Sequence, residues 1–405
     1  MTTRKVHRRH EWVNLTPEDG HFLFGYYDRC PWDPGNRRHL ALRIPQQDHL
    51  PLPGETADVG LVHREERRFE KLAETRAWCH QLGAMTLWLK HVPGAFVFND
   101  FEPSPHGFSP IARVFDPVRG EIERYETHLY ALSPDGRWGA AIDFGRIPRR
   151  GYSYALSRLP ADKPRPDLQE DGLFLVNMVT GEKRLLVSYG RFLDKHPFPY
   201  DLEGQYIWLN HAGFNCDSSR VMVLLRNESL RESGWRTQLF TVGVDGRELR
   251  CPVNHAVWSG GGGISHQIWG RTPSEILLDA GWFGRGHEHV VVREDRPDFR
   301  ADRLSPGLGP MGHLAFSPDG KWIVADTYPD EQGMQRIGVA EVATGRMTEL
   351  GRFEHRTEGV EGDIRCDLHP RWSCDGRFLT VDTIHEGPRK IYGLDVEGIL
   401  LRRPA

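Results

Sequence analysis

Five of the 20 histidines in this 405-residue chain stand just ahead of a short turn, at offsets that repeat. His211 lies four residues before Asn215, His313 four before Ser317 and His369 four before Ser373, while His128 precedes Ser133 by five and His266 precedes Thr272 by six. An imidazole at such a place can take up a proton, give one up or bind a metal near neutral pH. Cys366-x-x-His369 has the spacing of a ligand pair, and His313 would complete a three-ligand face with open positions, as a catalytic metal requires. Thiolate with imidazole leans toward Zn2+; imidazoles alone admit Mn2+. The competing reading is structural, with each imidazole hydrogen-bonded inside its own sheet. The fall of His211, His266, His313 and His369 on blades four to seven, with Arg365 and Cys366 beside the last, favours a site.

A second group of residues points to what such a site would take. Arg149, Arg150, Tyr152 and Tyr154 fall on one stretch, RRGYSY, and Arg365 enters from far along the chain. A planar guanidinium matches a carboxylate through two parallel hydrogen bonds. If that stretch overhangs the histidines, the hollow between them suits a small acidic sugar. His128 is expected to project into the same space as a substrate contact.

These side chains converge only if the chain repeats. A short apolar run, a Ser-Pro-Asp-Gly-like turn and a second apolar run recur as YALSPDGRWGAAIDF, GFNCDSSRVMVLL, LAFSPDGKWIVADTY and PRWSCDGRFLTVDTI, from Tyr130, Gly213, Leu314 and Pro370. Asp-Gly between alternating apolar residues signals a hairpin. A second turn follows at Val179-Thr180-Gly181, Val244-Asp245-Gly246, Ala343-Thr344-Gly345 and Val396-Glu397-Gly398, which makes four antiparallel strands per unit. Looser versions from Cys30, Met85 and Ile268 bring the count to seven. The expected fold is all-β, a seven-bladed β-propeller of four-stranded antiparallel blades in one domain over 1–405. Helical periodicity is confined to a short segment around Arg64 to Trp78. A long insertion, about 145–171, interrupts blade three, and loops of that length carry function. The glycine run Gly260 to Gly263 is expected at a rim before blade five.

Composition narrows the partners. A net charge of −4 gives no general electrostatic attraction to nucleic acid or anionic membrane. No apolar run is long enough to cross a bilayer. The opening MTTRKVHRRHEWVNLT has an Arg-Arg pair with no apolar region behind it, so no export signal is expected and the location is expected to be cytoplasmic. The six cysteines are dispersed, and most are expected to be small buried hydrophobes.

The stretches GHLAFSPDGKWIVADTYPD and DLHPRWSCDGRFLTVDTIHEG resemble those of the seven-bladed polysaccharide lyases, above all the oligogalacturonate lyase family and, more loosely, the ulvan and rhamnose-glucuronate lyases. That resemblance implies a divalent metal held by His313 and His369, with Cys366 where the family has glutamine, and His266 or His211 as base. It departs at Arg371, where the family has a further histidine. The ulvan-type likeness implies instead a tyrosine and arginine, Tyr152 and Arg150, with Gln81 and Asn99 in the region of its early-blade histidines.

The expected reaction is β-elimination at a uronic acid within an acidic oligosaccharide. A metal or arginine neutralises the carboxylate, His211 or His266 removes the C5 proton, and Tyr152 or water protonates the departing oxygen. Two other classes compete. A glycoside hydrolase or epimerase would call on Asp100, Asp326 or Asp367, hydrolysis needing a carboxylate pair; a binding or scaffold propeller would leave the histidines structural.

Overall fold

The recurrent turn is built the same way in blades three, six and seven. Ser133, Ser317 and Ser373 each bond through Oγ to the aspartate two residues on, at 2.5, 2.7 and 2.7 Å. The same oxygens accept the backbone N–H of Trp138, Trp322 and Phe378 at 2.9, 3.0 and 2.9 Å. The closing Gly136, Gly320 and Gly376 have φ of 77°, 69° and 74°, a left-handed conformation that a side chain would oppose.

In the computed structural model, which describes residues 10–148, 150–157, 165–199, 202, 205–229, 235–260, 264–283, 286–296, 298–306, 312–355 and 359–400, these turns join the inner two strands of successive blades. The strands form seven four-stranded antiparallel sheets. The inner strands, in order, are His21–Leu23, Leu87–Trp88, Ala131–Leu132, Gln205–Phe214, Ile264–Trp269, Leu314–Phe316 and Arg371–Trp372. This is a seven-bladed propeller. Among the described residues no helix is long and apolar enough to cross a membrane. The segment around Arg64 to Trp78 is not helical: Arg68–Thr75 is the outer strand of blade one, its charged residues facing solvent along the edge.

Blades pack through alternating apolar faces. Leu40, Leu42, Val59 and Leu61 of blade one meet Phe96 and Phe98 of blade two, all buried. Indoles on inner strands reach back to the preceding blade, with Trp88, Trp269 and Trp372 donating to the carbonyls of Pro31, Gly213 and Ala315 at 2.8, 2.9 and 3.1 Å.

The ring closes by adding the N-terminal strand Val13–Asn14 to the outside of blade seven, opposite Gly393 and Tyr392. A two-residue ladder contributes little, since a backbone hydrogen bond is worth about 1 kcal/mol net. Packing dominates the seam. Trp12, 1% exposed, meets Phe353 edge to face and donates its indole N–H to Leu350 O at 3.2 Å. Burying a side chain of that size contributes about 3 kcal/mol.

Candidate active site

The first inner strand carries the feature that organises the centre. After His21–Leu23 the chain leaves the sheet and rejoins it at the Trp32–His39 bridge. The excursion carries Tyr26 and Tyr27 to the axis, where they are 4% and 1% exposed. A buried ion pair fixes it: Asp382 accepts the N–H groups of Phe24 and Gly25 at 3.2 and 3.4 Å, and Arg371 donates to Gly25 O at 2.9 Å. Arg371 is therefore a brace for the tyrosine segment rather than a ligand.

Four histidines converge on this segment. Ring centroids of His266 and His313 are 4.3 Å apart and those of His313 and His369 4.2 Å apart, with Tyr27 5.0 Å from His313. His211 joins from the other side, its Nδ1 2.8 Å from Tyr26 Oη. Three of the four sit at left-handed φ: 53° at His211, 55° at His266 and 45° at His369. In blades four and five the pairing register shifts across the histidine, between Asn210 and Gly213 and between Ser265 and Ile268. Such bulges re-aim a side chain, and the left-handed residue within costs about 1–2 kcal/mol. Strained residues from three separate sheets gathered at one place point to a site.

Hydrogen bonding dictates the tautomers of His313 and His369. His313 Nδ1 is 3.0 Å from the Asp326 carboxylate, and His369 Nδ1 is 2.8 Å from the Gly25 carbonyl. Both partners only accept, so both Nδ1 atoms carry the proton. The two Nε2 atoms face each other at 3.2 Å, each presenting a lone pair. Two lone pairs at that distance repel unless a proton or a cation lies between them. Burial, the largest influence, holds the His369 pKa well below its usual value, which disfavours a proton on that ring. A metal about 2.1 Å from each nitrogen would fit the separation.

The third group is Asp367. One donor atom each from His313, Asp367 and His369 lie within 4.8 Å of one another, all three residues buried. Cys366 does not join them. Its side chain is sealed in an apolar cluster with Val360 and Ile384, and burial pushes its thiol up to about 12. Residues 365–370 run without helical structure, and in an extended chain neighbouring side chains point to opposite sides. Two imidazoles and a carboxylate suit manganese or zinc, whereas the thiolate case for zinc falls away.

Beside the ligands lies a hollow of about 230 Å³ lined by His211, His266, His313, Tyr152, Tyr328 and Arg226, with Trp208 and Trp258 at its wall. His266 Nε2 is 3.2 Å from Tyr328 Oη, and its Nδ1 is 3.9 Å from Asp279. Burial raises the Asp279 pKa, but the neighbouring imidazoles of His266 and His287 outweigh it and keep the carboxyl far below its usual value. At His211, burial and then Arg226 hold the pKa well below normal.

The remaining expected contacts divide. Tyr152, from the insertion, reaches the hollow, its ring 6.5 Å from His211. The Arg150 side chain, like Arg149, lies outside the described residues. Arg365 is not open to a substrate carboxylate, since Nε and Nη2 hold Asp367 at 2.6 and 2.7 Å and the guanidinium lies over Tyr328. Gln81 braces that loop, donating to Arg365 O at 2.8 Å. Asn99 and His128 are packing residues: Asn99 bonds both ways with the Leu129 backbone at 2.9 Å, and His128 Nε2 meets Asp100 O at 2.9 Å between Phe101, Phe144 and Tyr154. Sequence reasoning missed Tyr26, Tyr27, Tyr328, Asp279 and Arg226. Only the aromatic pair in FGYYDRC, adjoining no turn, offered a signal.

Similar proteins share this architecture at low identity. The oligogalacturonate lyase of Vibrio parahaemolyticus superposes with a TM-score of 0.63 at 15% identity, over 95% of this chain and 93% of that one. An oligogalacturonate lyase in complex with manganese gives 0.64 at 14%, over 98% and 96%. The tricorn protease gives 0.52 at 10%, over 96% of this chain and 35% of that one, so the fold also serves unrelated chemistry. No protein-family model matches the chain, and no curated protein sequence matches it.

Proposed function

We propose that this propeller is a lyase that cleaves a uronic-acid-containing oligosaccharide by β-elimination. The observation that carries the reading is the pair of opposed Nε2 lone pairs of His313 and His369, with Asp367 at hand, opening beside a hollow of sugar dimensions. His313, His369 and Asp367 would hold a divalent cation, which would supply positive charge to a uronate carboxylate as its C5 proton becomes acidic. Support also comes from the two solved structures named oligogalacturonate lyase, one of them with manganese.

The chain's own residues divide the remaining work. Arg226, which lines the hollow, adds positive charge on the side where the uronate carboxylate would lie. His266 is the base, because the Asp279 carboxylate behind it stabilises the imidazolium formed when it removes the C5 proton. As the C4–O bond breaks, Tyr152 protonates the departing oxygen, and Trp258 offers a face for the sugar ring.

A hydrolase would need two carboxylates free to act on the glycosidic bond. Asp326 is committed to His313 and to the His369 N–H, Asp367 to Arg365, and Asp100 to Arg113. Incubation with uronate oligosaccharides, followed by the ultraviolet absorbance of an unsaturated uronide, tests the proposal. A rise that vanishes in His266→Ala supports it; silence of the folded protein on every uronate offered removes it.

A further inference from the structure

Two exposed cysteines that the chain separates by 344 residues lie against each other, Cys30 Sγ and Cys374 Sγ being 3.2 Å apart. Cys30 ends the tyrosine-bearing excursion of blade one; Cys374 occupies the inner turn of blade seven. Both thiols approach one carbonyl, Trp32 O, at 3.8 and 3.4 Å, and the Cys374 N–H is fixed by Asn36 Oδ1 at 3.0 Å. Each therefore has its place set by blade one, independently of the other. Both line the hollow of about 1400 Å³ on the turn side of the ring, within reach of a small solute.

From this geometry we infer that Cys30 and Cys374 form a reversible modification site, a disulfide that fastens blade one to blade seven across the seam where the ring closes. The seam is otherwise joined by the two-residue strand Val13–Asn14 and its packing, so a covalent bond there constrains the unfolded chain through a very long loop. The other cysteines are unsuited to this partner: Cys79 and Cys366 are buried, and Cys216 and Cys251 belong to blade four.

The oxidant is a low-molecular-weight disulfide such as oxidised glutathione. The Cys374 thiolate attacks one of its sulfurs, the reagent's S–S bond breaks and one thiolate leaves. Cys30 then gives its proton to water and attacks the Cys374 sulfur, and the second thiolate departs. In sum, two protein thiols are oxidised and one reagent disulfide is reduced to two thiols. The Cys30 thiol 3.2 Å away lowers the Cys374 pKa and so favours Cys374 as the first nucleophile.

Oxidised glutathione applied to the full folded chain, followed by peptide mapping without reductant, tests this. The expected result is one cross-linked pair holding Cys30 and Cys374, the loss of two labelling sites for a maleimide, and a rise in Tm of about 5 °C that dithiothreitol reverses. Cys374→Ser and Cys30→Ser should each lose the oxidant-dependent rise. Recovery of the two cysteines as free thiols, or as separate glutathione adducts with no cross-link, would overturn the inference, and the wild-type map gives that answer whether or not either variant folds.

Discussion

Arg371 and Asp382 form an ion pair in which neither side chain is more than 2% exposed, with Nη2 and Oδ1 2.5 Å apart. The pair joins the first two strands of blade seven to the backbone that presents Tyr26 and Tyr27, so stability and site geometry rest on the same contact. Removing one partner leaves a buried charge unopposed, at a cost of about 3–5 kcal/mol. Arg371→Met is expected to lower the urea midpoint accordingly and to abolish turnover even where the protein remains folded.

Metal binding should follow the side chains that meet rather than those spaced like ligands. In elemental analysis after dialysis against manganese or zinc, His313→Ala, His369→Ala and Asp367→Ala are expected to lose the bound cation, while Cys366→Ser keeps it. Asp326→Asn, which loosens the hold on His313 Nδ1, should weaken affinity by about 10–100-fold.

His266 and Asp279 make a pH-dependent pair. Burial, the largest influence, lowers the His266 pKa from its usual 6.5, and Asp279 opposes that shift. The basic imidazole therefore persists below pH 6.5, and the acid limb of kcat/KM is expected there. Asp279→Asn removes the opposing charge, so the limb should move to lower pH while the plateau falls, because the weaker base is the poorer catalyst. His266→Ala should reduce kcat by about 10²–10⁴-fold.

Stability should fall on acidification. Burial pushes the pKa of His128, His289 and His355 down to about 4 in the folded protein, from 6.5. Between those values the unfolded chain binds protons that the folded one refuses, so the stability these groups contribute is whole above pH 6.5 and drains away toward pH 4. Each contributes up to about 1.4 kcal/mol per pH unit within that window. Melting temperatures across pH 8 to 4 should show the decline, and His128→Phe should make it shallower.

The blades were legible because their turns are chemically specific: Ser, Asp and Gly each satisfy a local backbone need that recurs unchanged. The histidine ring was legible for the same reason, since a fixed offset from a fixed turn means a fixed place in the sheet. Cys366 was misread because spacing alone does not reveal which side of an extended segment a residue faces. Asn99 and His128 were misread because an interior polar group satisfied by neighbouring backbone looks, in sequence, like one awaiting a ligand. The excursion at Gly25 to Cys30 escaped notice because its position depends on Arg371 and Asp382, more than 340 residues away.

That excursion lies between the two hollows, Tyr26 lining one and Tyr27 the other, so two phenol rings near the start of the chain form a partition across the propeller's axis. Under the proposed lyase reading, whatever enters beside the histidines meets these rings, and their place in the bore sets the depth available to it.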